Sequence, residues 1–275
     1  MYKLLVSDLD ETLVRADGSI SPENAAAIKA VLARGIKFVP NTGRGFASVQ
    51  KLLQAIGTYQ QAGQYVISYN GGAVIENKDN QVLATGEMPY ADAKQIFDLL
   101  ADHPEVDIHV YTLNHLYIYN KRQDDLDYVA SRGVEYIDMP DRDFTRFANK
   151  HIMKVIFMNP DITTRHAVAE EVKAALGDKV DLTYSSARYG EFNHHGVNKG
   201  SATLQLAERL GIKPDEIMAF GDNANDIPML KVVGMPVSVS NGIDDVKQLA
   251  KYVTQANYET GVAEAIHHFI LQDDK

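Results

Sequence analysis

Apolar residues in the first third of the chain fall into short runs separated by segments of helical period. Leu4-Leu5-Val6 predicts a buried strand that ends at the acidic stretch Asp8-Leu-Asp-Glu-Thr-Leu13. Ser21 followed by Pro22 predicts a helix start, with serine as the cap and proline at the first helical position. Ile28, Val31 and Leu32 supply the apolar face of that helix, and Gly35 ends it. Residues 36–39 predict a second strand leading into Asn41-Thr-Gly-Arg44. Phe46, Val49, Leu53 and Ile56 mark a second helix, and residues 65–69 a third strand. This β-α-β-α-β order predicts an α/β fold with a doubly wound parallel sheet, Rossmann-like in organisation.

The rhythm changes near Ala84. A helix around residues 96–100 is followed by strands at 107–111 and 116–119, and the short turn Asn114-His115 between them predicts an antiparallel hairpin. Strands at 151–158, 180–185 and 189–193 flank a helix at 163–176. Helices with antiparallel strands predict an inserted α+β domain, placed at residues 84–186, between core segments 1–83 and 187–275. Strand alternation puts Ile108, Val110 and Ile118 on one face of the hairpin and His109, Tyr111, Tyr117 and Tyr119 on the other. Lys154 interrupts an apolar strand and is expected on the second face. From Lys199 the first rhythm returns: Leu204, Leu206 and Leu210 lie on a helix stopped by Gly211, and the strand 217–220 ends at Gly221-Asp222.

Composition narrows the chemistry. The 275 residues suffice for two domains, with 45% hydrophobic and 23% charged residues, an ordinary globular balance. A net charge of −10 disfavours non-specific nucleic-acid binding, while leaving open a small anionic substrate held by a local cation. There is no cysteine, which excludes disulfides, thiolate nucleophiles and thiolate metal sites. The apolar run at the start is too short for a signal peptide, and no stretch approaches the ~20 apolar residues of a membrane span. The expectation is a cytoplasmic protein with no membrane or obligate protein partner.

Four polar clusters fall at or near the carboxyl ends of predicted strands, where open parallel sheets bind ligands. Asp8 and Asp10 lie two apart after the first strand. Two neighbouring carboxylates repel unless a cation or proton intervenes, and with Asp222 they would make an all-oxygen site suited to Mg²⁺; a capped, solvated loop is the competing reading. Thr42 offers a hydroxyl, and Gly43 lets a backbone N–H approach an anion, although Thr-Gly before a helix is also an ordinary turn. Lys199 adds a compact charge, or is a solvated helix-start lysine. Gly221-Asp-Asn-Ala-Asn-Asp226 is dense in carboxylates and amides, as a surface turn also is.

Taken together the clusters resemble the haloacid dehalogenase superfamily of phosphatases. Asp8-Leu-Asp-Glu-Thr-Leu13 is similar to its first motif, Thr42-Gly-Arg44 to its second, Lys199-Gly200 to its third and Gly221-Asp-Asn-Ala-Asn-Asp226 to its fourth. The long insert between the second and third, and the segment Asn257-Tyr-Glu-Thr-Gly-Val262, resemble the Cof-type subfamily with a large α/β cap. Glu11 stands where the family usually has glycine. The resemblance implies a Mg²⁺-dependent phosphatase of small phosphorylated metabolites, sugar phosphates or related monoesters. Asp8 would be the nucleophile and Asp10 the general acid and base. Asp8, Asp222 and the main-chain carbonyl of Asp10 would hold Mg²⁺. Thr42, Lys199, Asn225 and backbone N–H groups near Leu9 and Gly43 would bind the phosphoryl group, with Asp226 orienting Lys199 or a metal-bound water. The face carrying His109, Tyr111, Tyr117, Tyr119 and Lys154 would then roof the site and select substrates; a solvated face or a subunit interface is the competing reading.

Other readings are weaker. Gly43-Arg-Gly45-Phe-Ala-Ser48 has serine at the third glycine position of a dinucleotide fingerprint, and no Asp or Glu falls between Gln60 and Asn70 to bind a ribose. A phosphomutase would need a cationic site in the insert, for which Arg122, Arg132, Arg142, Arg146 and Arg165 are the candidates; a non-catalytic phosphometabolite sensor would bind without turnover. His194-His195 point to opposite faces of a strand, so they are poorly placed to chelate one ion, and read as part of the returning hinge.

Overall fold

The computed structural model describes residues 1–131 and 133–272. In chain order the elements are β1 (Leu4–Ser7), α1 (Pro22–Ala33), β2 (Lys37–Pro40), α2 (Gln50–Ile56), β3 (Tyr65–Ser68), β4 (Ala73–Glu76) and β5 (Gln81–Thr85). Then follow α3 (Tyr90–Ala101), β6 (Asp107–Thr112), β7 (Leu116–Tyr119), α4 (Gln123–Ser131), β8 (Tyr136–Met139), β9 (Ile152–Met158), α5 (Ile162–Leu176), β10 (Val180–Ser185) and β11 (Tyr189–His194). The chain closes with α6 (Lys199–Arg209), β12 (Ile217–Gly221), α7 (Ile227–Leu230), β13 (Met235–Ser238), α8 (Asp244–Leu249), β14 (Tyr252–Val253) and α9 (Gly261–Ile266).

Two compact units result, one from residues 1–84 and 198–275 and the other from residues 85–197. The first holds a five-stranded parallel sheet in the order β14-β13-β12-β1-β2. All four residues of β1 are buried, as a central strand of a doubly wound sheet requires. Ser21 caps α1 by accepting a hydrogen bond from the Asn24 amide, with Pro22 in the first turn. The predicted third strand touches this sheet through a single bridge, Asn41 to Ile67. It belongs instead to a β3-β4-β5 meander that periodicity alone did not resolve. The turn after β3 carries Tyr69 and Asn70 with φ of 57° and 56°, and Gly71 at 99°. A side chain at Gly71 would also strike the Asn198 carbonyl.

The second unit is a six-stranded sheet, β10-β11-β9-β6-β7-β8, with α3 and α5 packed on one face. Strand β11 pairs with both β10 and β9, so its residues belong to this sheet. The expected boundary at Ser186 therefore moves to Val197, and His194, paired to Val180, is a strand residue rather than a hinge.

The hairpin register corrects the expected faces. Val110 pairs with Tyr117 and Ile108 with Tyr119, while His109 pairs with Ile118. Partners across an antiparallel pair share a face. The loop between the paired residues Thr112 and His115 has two residues, so even positions on β6 oppose odd positions on β7. Tyr117 and Tyr119 thus join Ile108 and Val110 in the α3/α5 core. Tyr117 stands edge-on to Phe147 at 4.9 Å and Tyr119 edge-on to Phe97 at 5.4 Å. Ile118 and Leu116 lie with His109 and Tyr111, under Leu126 and Val129 of α4.

Candidate active site

Strands β1, β2 and β12 end side by side, and their parallel register brings the loops after Ser7, Pro40 and Gly221 to one edge of the sheet. Asp8 leaves β1 buried, its amide bonded to the Phe220 carbonyl of β12 at 3.0 Å. Lys199, at the start of α6, is fully buried and lies between two carboxylates: Nζ is 2.5 Å from Asp8 Oδ1 and 2.7 Å from Asp226 Oδ1. Asn198 fixes this helix start by accepting from the Gly200 and Ser201 amides. Asp226 Oδ2 accepts from the backbone amides of Asp222 and Asn223, both at 3.0 Å. Asp226 is therefore spent on Lys199 and on folding its own loop. Gly221 is needed there, because a Cβ would meet the Asp226 side chain at 2.6 Å.

The Thr12 hydroxyl donates to Asp222 Oδ1. Arg44 grips Asp10 with Nε and Nη2. Thr42 is buried, its hydroxyl accepting from the Arg44 amide at 3.1 Å and its carbonyl from the Asn70 amide at 3.0 Å. Asn225 donates to Asn70 Oδ1 at 3.3 Å, tying the β12 loop to the turn after β3. Gly43 packs against the same Asn70 side chain, which a Cβ would approach to 3.1 Å. Leu9 is buried, and its carbonyl takes the amides of Thr12, Leu13 and Val14, so the acidic loop curls over its own backbone.

Carboxylates this close and this buried resist ionisation. Burial, followed by the neighbouring Asp226 and Asp10 charges, pushes Asp8 up to about 7 against the pull of Lys199. Burial and the charges of Asp8 and Asp226 push Asp222 up to about 8 against the Thr12 hydrogen bond. Lys199 is raised as well: its burial opposes the charge, but Asp226 and Asp8 outweigh it and hold the ammonium protonated. Oxygens of Asp8, Asp222 and Asp226 lie within 4.8 Å of one another. A hard dication suits such a set and would relieve its repulsion. With Asp226 already engaged, Asp8 and Asp222 are the side chains left to a cation, and the Asp10 carboxylate is in the Arg44 fork.

Glu11 has φ of 63°, a left-handed conformation that glycine adopts without strain. Its carbonyl accepts from Asn241 Nδ2 at 2.7 Å, and Asn241 Oδ1 accepts from the Tyr258 backbone amide. The segment 257–262 is thereby stitched to the acidic loop. Arg15 and Glu259 pair at 2.6 Å, and Asn24 bridges the Leu13 and Tyr258 carbonyls. Arg44 as the clamp on Asp10, Thr12 on Asp222 and Asn70 behind Thr42 carry no sequence signal of these roles beyond their place in or near a motif.

The candidate selectivity residues divide. His109, Tyr111 and Lys154 do share a face, and Tyr111 pairs with Lys154, whose Nζ lies 4.9 Å from its ring centre. That face is not free: His109 and Lys154 are 1% and 2% exposed. Lys154 is paired with Glu191 at 2.6 Å, and His109 with Asp125 of α4 at 2.7 Å. Tyr117 and Tyr119 lie on the opposite face. Among the described residues, the arginines of the insert do not stand ready as a phosphate site either. Arg122 pairs with Asp124, Arg142 with Asp102, Arg146 with Asp141, and Arg165 donates to the Asn159 carbonyl; Arg132 lies outside the described residues.

A parallel sheet with an inserted second unit, and a carboxylate–lysine–carboxylate chain at the ends of β1 and β12, define a hydrolase with a Rossmann-like core. The chain belongs to the haloacid dehalogenase-like hydrolases, whose family model matches residues 5–266, and to their Cof-type branch. It is 32% identical over 278 residues to the Bacillus subtilis protein named "Putative phosphatase YxeH", covering 98% of this chain and 99% of that one. It is 29% identical to 5-amino-6-(5-phospho-D-ribitylamino)uracil phosphatase YcsE of the same organism, covering 98% and 96%. A haloacid dehalogenase-like hydrolase from Bacteroides thetaiotaomicron superposes with a TM-score of 0.85 at 26% identity, covering 98% and 99%. The chain is a phosphoric monoester hydrolase, and among the described residues no helix is long and apolar enough to cross a membrane.

Proposed function

We propose that this protein hydrolyses small phosphorylated metabolites, sugar phosphates or related monoesters, through an aspartyl-phosphate on Asp8 and with Mg²⁺ as its cofactor. The observation that carries the reading is the buried Asp8–Lys199–Asp226 chain beside Asp222. A nucleophilic carboxylate needs its charge present and its orientation held, and Lys199 supports both. Asp8 attacks phosphorus while the bond to the leaving oxygen breaks, and Asp10 delivers a proton to that oxygen. Asp10 then takes a proton from the water that attacks the phospho-aspartate, releasing inorganic phosphate and restoring Asp8. Lys199, Thr42, Asn225 and the amides near Leu9 and Gly43 neutralise the transferring group. Asp8, Asp222 and the Asp10 carbonyl would hold Mg²⁺, which would supply further neutralisation of the phosphate charge.

The test is phosphate release from a panel of phosphorylated metabolites with Mg²⁺, for the natural protein and Asp8→Asn. An amide is a poor nucleophile and a weaker ligand, so the variant should lose turnover by several orders of magnitude, on the order of 10³ or more. Near-normal turnover by Asp8→Asn would remove the mechanism.

A further inference from the structure

On the α4 face of the second sheet, Asp107, His109 and Asp125 meet. Asp107 and His109 stand two apart on β6, and Asp125 comes from the first turn of α4. His109 Nε2 lies 2.7 Å from Asp125 Oδ2 and 3.8 Å from Asp107 Oδ1, and one donor atom from each residue falls within 4.8 Å of the others. The three are 0%, 1% and 0% exposed. Asp125 is satisfied, because Oδ1 accepts from the Tyr189 hydroxyl and Oδ2 faces His109. Asp107 is less well held: neither of its oxygens meets a partner at full hydrogen-bond geometry. The Arg122 backbone amide and charge give it partial relief and the Asp125 carboxyl meets it, while the Arg122 guanidinium is directed to Asp124 and the Glu105 carbonyl.

A carboxylate buried with incomplete partners is costly, and a second carboxylate beside it adds repulsion. The two carboxylates beside the His109 imidazole therefore need a proton or a cation between them. We propose that Asp107, His109 and Asp125 form a structural divalent-cation site, separate from the sheet-edge carboxylates and independent of the phosphatase reading. Two carboxylates and a neutral imidazole balance one dication. An imidazole ligand favours Zn²⁺, Mn²⁺ or Co²⁺ over Mg²⁺, whose sites are built from oxygen. Donors bound at ~2.0–2.2 Å around one ion sit roughly 3.3 Å apart, and the 2.7 and 3.8 Å separations straddle that value. The Tyr189 hydroxyl orients the ligating Asp125 carboxylate, as outer hydrogen bonds do in metal sites. Complete burial is the mark of a structural site rather than a catalytic one. The ion would pin α4 to β6 of the same unit.

The experiment uses the full chain, stripped with chelator and titrated with Co²⁺ in a large excess of Mg²⁺ that occupies the sheet-edge carboxylates. One Co²⁺ per chain should bind, with the visible absorption of nitrogen and oxygen ligation and a rise in Tm. Asp8→Asn should bind it equally. Asp107→Asn and Asp125→Asn should each weaken binding by about 10-fold or more, with hydrolysis of a small generic phosphate unchanged. The proposal is overturned if the natural protein takes up no Mg²⁺-resistant Co²⁺, if Asp8→Asn abolishes the uptake, or if Asp107→Asn binds as well as the natural protein. It is overturned too if Asp107→Asn raises the Tm of the metal-free protein while Co²⁺ has no effect on the natural one, because a proton then holds the carboxylates together. Should the insert variants not fold, the natural protein and Asp8→Asn decide the question.

Discussion

Arg44 Nε lies 2.8 Å from Asp10 Oδ2, and its Nη2 meets Oδ1, so one guanidinium closes on both oxygens of the proposed acid. This fork fixes the plane of the carboxyl more firmly than a single bond would. If Asp10 delivers the proton, Arg44 acts on turnover through it. Arg44→Ala should lower kcat by about 10- to 100-fold while KM changes little. The loss should be larger for alkyl phosphates than for an activated aryl phosphate, whose leaving group needs less protonation. Asp10→Asn should show the same pattern more strongly. Equal losses on both substrates in either variant would argue against the acid role.

Asp222 offers a pH test of the carboxylate cluster. Its folded-state value is raised to about 8, mainly by burial, against about 4 for an unfolded aspartate. The folded state therefore binds the extra proton between those values, and stability is lost as pH rises through that window. In chelator, Asp222→Asn should melt higher than the natural protein at pH 8.5, by roughly 2 °C or more, with little difference at pH 4. Mg²⁺ should reverse the order at the higher pH. Thermal melts at both values, with and without Mg²⁺, check this; a pH-independent difference would contradict it.

Tyr117 lies in the core of the insert against Phe147. Tyr117→Ala should cost about 3 kcal/mol of stability, as large-to-small core changes do, and should not reorder substrate preference. Lys154→Ala should also destabilise, because it leaves Glu191 buried without its cation. Melting curves paired with kcat/KM over a substrate panel separate these outcomes from a selectivity role.

Glu11 holds a left-handed backbone at φ 63°. Glu11→Gly should relieve about 1 kcal/mol of strain, offset in part by the greater entropy glycine loses on folding. Unfolding by urea should show a small gain or no change, and turnover should stay within about 3-fold, since the Asn241 bond is to the backbone carbonyl. A large loss of stability would mean that the glutamate side chain has a partner the loop requires.

The sequence by itself determined the parts of this protein that depend on local pattern. An apolar triplet ending in Asp8, a serine cap before Pro22 and a strand running into Gly221-Asp222 each carry their meaning within a few residues. In a parallel sheet, residues at strand ends converge whatever joins them, so Asp8, Thr42 and Asp222 were legible together. Tertiary structure decided whatever depends on pairing between distant segments. The two-residue hairpin loop reversed the parity between β6 and β7, and that single register choice sent Tyr117 and Tyr119 into the core. The pairing of β11 with β9 moved the boundary of the insert. The burial of Lys154 against Glu191, and of His109 against Asp125 from a helix 16 residues away, arose from packing between elements that no periodicity describes. The Arg44 clamp on Asp10 belongs with these, because side-chain reach across 34 residues is fixed only when the strands beneath it are in place.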